Sequence, residues 1–73
     1  MPRYFFHFKD GQLLLDNEGT ELPDLDAARA QAIIASGTML QDQGAKFWQD
    51  RDWHMWVTDE AGTIVCALRM VAE

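Results

Sequence analysis

The 73-residue chain contains one cysteine, two prolines and six basic residues. A lone thiol, Cys66, cannot close an internal disulfide, which excludes a disulfide-framed secreted scaffold and points to a reducing cytoplasm. Six Lys and Arg against 12 Asp and Glu leave a net charge of −6. Nucleic acid and anionic membrane surfaces both require a concentrated basic face, so the charge balance disfavours the first as a partner and argues against the second. The apolar stretches are a handful of residues long, too short for a spanning helix. The opening residues 1–7 have neither the apolar core nor the small-residue cleavage site of a signal peptide. No linker or low-complexity segment divides the chain, so residues 1–73 read as a single domain.

What is present is the composition of a folded chain: 48% apolar and 25% charged. So short a domain buries only roughly 60% of the surface its unfolded form exposes. Its eight aromatic residues and four methionines must therefore carry much of the core, and self-association is the other common source of stability.

Residues Arg3–Lys9 alternate, with Tyr4, Phe6 and Phe8 on one side and Phe5 and His7 on the other, which reads as a strand. Asp10-Gly11 then signals a two-residue hairpin. That turn places Phe8 opposite Leu13, His7 opposite Leu14 and Phe6 opposite Leu15, so Phe6, Phe8, Leu13 and Leu15 share an apolar face. Asp16-Asn17-Glu18-Gly19 has turn chemistry and ends the second strand. Asp24 suits a helix N-cap, and 100° steps put Leu25, Ala28, Ala32, Ser36, Met39 and Leu40 on one stripe. Gly44 suits the helix stop. Ala45 to Asp52 reads as a connection that tucks one aromatic ring, Phe47 or Trp48, over the core edge.

Trp53–Thr58 alternates again, with Trp53, Met55 and Val57 on one side and His54, Trp56 and Thr58 on the other. A turn at Asp59–Gly62 leads to a last strand, residues 63–71. A four-residue loop pairs Val57 with Ile64 and Met55 with Cys66. A three-residue bulged loop instead sets Trp53 opposite Arg69. The first register is preferred because it gives a uniformly apolar face. The fold expected is α+β, in the order ββαββ: an antiparallel four-stranded sheet with one helix packed on one face.

Several joined motifs are distinctive: Met1-Pro2-Arg3-Tyr4-Phe5-Phe6-His7-Phe8 before Asp10-Gly11, Glu21-Leu22-Pro23-Asp24-Leu25 before Ala27-Ala28-Arg29-Ala30, and Trp53 before Val57-Thr58-Asp59-Glu60. In these the chain resembles a family of short alphaproteobacterial proteins classed as a domain of unknown function. The resemblance spans nearly the whole length and implies no activity, cofactor or catalytic residue. Gly37 and Phe47-Trp48 depart from the pattern.

No constellation of catalytic residues emerges. His7, His54 and Cys66 match no compact metal-ligand spacing, and the expected register separates the thiol from both imidazoles across the sheet. The acids Asp16, Glu18, Glu21, Asp24 and Asp26 have simpler roles in turns, capping and solvation. The glycines form no phosphate loop. A non-enzymatic protein with no metal and no cofactor is therefore expected.

The informative feature is the far side of the sheet, which one helix cannot also cover. It would carry Phe5, His7, Leu14, His54, Trp56 and Val65, the six expected interface residues, together with Ala67, rimmed by Arg3, Lys9 and Arg69. A contiguous apolar and aromatic patch marks an interaction site. Self-association is favoured, giving a homodimer through the outer sheet face. Stacking of single-stranded nucleic acid on the aromatic face is the alternative, weakened by net charge, and a small-molecule groove is weakened by the flatness of a sheet.

Overall fold

The computed structural model describes residues 1–50 and 52–73. Along the chain these form β1 (Arg3–Lys9), β2 (Leu13–Leu14), β3 (Thr20–Glu21), α1 (Leu25–Gln43), a 3-10 turn (Gly44–Lys46), α2 (Phe47–Asp50), β4 (Asp52–Thr58) and β5 (Ile64–Val71). The strands make one antiparallel sheet in the order β2-β1-β4-β5, with β3 also paired to β1. The α+β architecture is as expected, but the second strand of the first hairpin is two short pieces, giving five strands among the described residues.

The alternation in β1 and β4 buries one side of each strand. Tyr4 and Phe6 from β1 and Trp53, Met55 and Val57 from β4 join Ala28 and Ala32 of α1 in the core. Trp53, Met55 and Val57 are at most 1% exposed. The small side chains Ala28, Ala32 and Ser36 form the buried stripe of α1, which lets a helix lie close over a sheet carrying large rings. Asp24 caps α1, its Oδ1 accepting from the Ala27 amide at 2.9 Å. Gly44 ends it at φ 53°, with its amide bonded to the Leu40 carbonyl. In the connection, Phe47 is the ring that reaches the core, while Trp48 stays 63% exposed. Arg51, within that connection, lies outside the described residues.

Both hairpin registers differ from expectation. In the first, Lys9 pairs with Leu13 and Phe8 with Leu14. The loop therefore has three residues, Asp10-Gly11-Gln12, with Gly11 at φ 91°. An Asp-Gly pair serves a three-residue loop as well, the glycine taking the left-handed position. The Gln43 side chain donates to the Asp10 carboxylate and ties this loop to the end of α1. A one-residue slip flips every side chain. Leu13 accordingly faces Lys9, Leu14 moves to the helix side of the sheet, and the expected face of Phe6, Phe8, Leu13 and Leu15 does not form.

In the second hairpin, Thr58 pairs with Ile64, a bulge follows, and Val57 pairs with Cys66, Met55 with Leu68 and Trp53 with Met70. The Asp59 carboxylate sets this turn by accepting the Ala61 and Thr63 amides at 2.9 and 3.0 Å. The pairing of Val57 is two residues from the expected register, and a shift of two preserves sidedness. Cys66, Leu68 and Met70 thus stay on the helix side. Val65 is the residue taken up by the bulge, and it packs against the core cluster rather than on the outer face.

Candidate functional site

The outer face of the sheet is built from three cross-strand rows. Lys9, His54 and Arg69 form one, His7, Trp56 and Ala67 the next, and Phe5, Thr58 and Ile64 the third. Facing residues share a side, so each row places three side chains side by side. Of the six expected interface residues, Phe5, His7, His54 and Trp56 are brought together on this face. Leu14 and Val65 are not, for the reasons of register and bulge given above. Ile64 belongs to the face and was missed, whereas Thr58, which alternation puts on this side, was not counted among the interface residues. The signal for Ile64 is the three-residue loop register, which pairs it with Thr58.

None of these side chains is buried, and Ile64 is 61% exposed. His7 is held from three directions. Its Nδ1 accepts from the Asp16 amide at 3.2 Å, which assigns the proton to Nε2, and Nε2 then donates to Thr58 Oγ1 at 3.0 Å. Its ring lies 5.5 Å from that of Trp56, tilted by 31°. Imidazole and indole are thereby fixed as one aromatic unit in the middle row.

The segment between β2 and β3 covers one margin of the face. Asp16 Oδ2 accepts from the Phe6 amide at 3.1 Å, and Oδ1 from the Glu18 and Gly19 amides at 3.0 Å each. The carboxylate therefore stands where a strand carbonyl would meet β1, between the two short pairings of β2 and β3. Burial alone pushes the Asp16 carboxyl up. The amide bonds from Gly19, Phe6 and Glu18, with the His7 imidazole nearby, outweigh it and hold the group below the ordinary carboxylate value.

Gly19 sits at φ 73°, and a Cβ there would come within 2.8 Å of both Arg3 Cγ and Phe5 Cε2. Gly19→Ala should destabilise by about 2 kcal/mol, from the left-handed backbone and the displaced Phe5 ring together. Urea denaturation followed by circular dichroism measures it, and an unchanged midpoint would mean that this loop does not press on Phe5.

The opposite margin is polar. Asp52 bonds Arg69 Nε at 3.2 Å and His54 Nε2 at 3.1 Å. The Arg69 hydrogen bond leads the causes that depress the Asp52 carboxyl. A carboxylate thus sits beside the row that holds Lys9, His54 and Arg69. No group of three or more His, Cys, Asp or Glu among the described residues is arranged to hold a metal ion. Cys66 lies on the helix side, partly buried, and its burial pushes the thiol up. Sheet sidedness keeps it away from His7 and His54. Among the described residues no helix is long and apolar enough to cross a membrane.

Comparison with protein families matches residues 3–72 to a model described as a domain of unknown function. No match was found among the curated proteins or among the solved structures.

Proposed function

The chain belongs to the DUF6894 family, a domain of unknown function, and we propose that it is a non-enzymatic protein-association module that pairs with a second copy through its outer sheet face. The observation that supports this reading is the middle and third rows of that face. Phe5, His7, Trp56 and Ile64 stand contiguous, none of them buried, on the side of the sheet that α1 does not cover. A domain of this size buries a smaller share of its surface than a larger one, and covering such a patch with its symmetric equivalent would add apolar burial. A two-fold interface uses the same patch on both copies, so one face suffices. The single thiol supports a reducing compartment, the cytoplasm, as the place where the module works.

Stacking of single-stranded nucleic acid is the second reading, favoured by Lys9 and Arg69 in the row beside Trp56. The Asp52 carboxylate bound to Arg69 and His54 opposes it, since it occupies the donors a phosphate would need.

Sedimentation equilibrium tests the proposal. The native chain should approach twice its 8.3 kDa mass at micromolar concentration. Trp56→Glu should weaken pairing by roughly 30-fold, the loss of a central aromatic anchor worth about 2 kcal/mol, while keeping the native circular dichroism. A native chain that remains at the single-copy mass would overturn the proposal. Binding of a single-stranded oligonucleotide that weakens steeply with salt would favour the alternative.

A further inference from the structure

The chain has two histidines, and both lie on the outer face of the sheet. Their settings differ. His54 Nε2 lies 3.1 Å from Asp52 Oδ1, so a proton on that ring gains a partner. At His7 a proton displaces one. Nε2 carries the hydrogen donated to Thr58 Oγ1, which leaves Nδ1 as the nitrogen able to take another. The Asp16 amide already donates to Nδ1, at 3.2 Å. Two donors cannot bond each other, so a second ring proton and the Asp16 bond exclude one another. The ring is half-buried, and solvent can deliver that proton. Histidine is the side chain whose charge ordinarily changes between about pH 5 and 8.

Asp16 anchors the segment 15–19. Its carboxylate accepts from the Phe6, Glu18 and Gly19 amides, and Gly19 lies against Phe5 at the margin of the outer face. The charged groups around His7 are Asp16 on that segment, Lys9 on its own strand, and His54 on β4 and Arg69 on β5, these last two tied to Asp52. Arg3 lies two rows away and bonds the Glu18 carbonyl and the Glu21 carboxylate. β2 and Ala67 of β5 bring no charge. The Asp16 carboxylate favours a charged ring, but its oxygens are engaged by three amides rather than by the imidazole.

We propose that His7 is a proton-operated latch: its neutral ring holds the segment 15–19 on the margin of the outer face, and its protonation frees the Asp16 amide and loosens that margin. The proton comes from solvent to Nδ1, and the released amide turns to water. Resting on the reading of the outer face as a pairing surface, the same proton opposes pairing. It sets an imidazolium in the middle row beside Trp56, where a second copy would have to bury it, and two-fold symmetry does this twice. The Asp16 carboxyl is held below the ordinary carboxylate value, so it stays charged through the range in which histidine titrates.

The test follows the nitrogen-15-labelled full chain from about pH 7.5 to about pH 5.5. The Asp16 amide signal should shift, and its hydrogen exchange, corrected for the intrinsic effect of pH, should quicken by about tenfold. The His7 ring signals should titrate at the same midpoint as the Asp16 amide. His7→Asn sets an acceptor oxygen where Nδ1 stands, one that takes no proton in this range, and should hold the Asp16 amide unchanged. His54→Gln should keep the native response. By sedimentation, the dissociation constant of the native pair should rise by about tenfold over the same range, and that of His7→Asn should stay level. The latch is overturned if the Asp16 amide does not respond, if its midpoint differs from that of the His7 ring, or if His7→Asn responds as the native chain does. A native chain of single-copy mass at both pH values removes the pairing reading alone, and the Asp16 amide then still decides the latch.

Discussion

Trp53→Ala is expected to remove about 4 kcal/mol of folding free energy, more than half of what the domain has. The largest buried ring is deleted, and truncating a buried Trp costs about 3–5 kcal/mol through lost transfer energy and the cavity left behind. A 73-residue chain at roughly 0.1 kcal/mol per residue has about 7 kcal/mol in total. Trp53 touches several elements at once. It faces Met70 across the β4–β5 ladder, lies 5.9 Å from the Phe8 ring, and belongs to the cluster that includes Ala32 and Phe47. No single neighbour can collapse into the space. Trp48→Ala is the matched comparison, because that ring is 63% exposed, and it should cost under about 0.5 kcal/mol. Urea midpoints of the two variants should therefore fall far apart. Similar midpoints would mean that the core is not centred on β4.

Asp16→Ala should cost about 3 kcal/mol, because three backbone amides lose a charged acceptor and the Phe6 and Gly19 amides are partly buried. The effect should depend on pH. The folded-state value of this carboxyl lies below its unfolded value. Its contribution is therefore fully present above the unfolded value, near 4 for an ordinary aspartate, and is lost as pH falls through the folded value. The native chain should lose stability through that window. Asp16→Asn should start lower at neutral pH and show a shallower decline. Parallel acid profiles for the two proteins would show that the carboxylate carries no linkage.

The sequence legible at the level of sidedness was less so at the level of register. Period-two alternation in β1 and β4 assigned Tyr4, Phe6, Trp53, Met55 and Val57 to the core, because each strand is covered on one side only. Asp24 and the small-residue stripe located the helix and its buried face. Asp10-Gly11 failed to fix the first hairpin, since two-residue and three-residue loops both accept it, and Leu14 was placed on the wrong face as a result. In the second hairpin a bulge absorbed Val65 and restored the apolar alternation further along. The bulged alternative was thus right only where Thr58 meets Ile64, and of the preferred register only the sidedness of β5 survived. Phe47 lay in a helix of four residues, too short to show periodicity. Asp16 read locally as a turn residue, which it is. Its bond to the Phe6 amide crosses ten residues and has no local signature. Of the candidate face, His7, Trp56, Phe5 and His54 followed from alternation alone, whereas Ile64 required the bulge.

The central claim is that the uncovered aromatic rows hold a second copy of the chain. Isotope-filtered nuclear Overhauser spectra test it most directly, in a sample mixing carbon-13-labelled and unlabelled copies. Contacts between copies should arise from Phe5, His7, Trp56 and Ile64. Their absence at concentrations where each copy is folded, or contacts arising from β5 edge residues such as Met70 and Val71 instead, would contradict it.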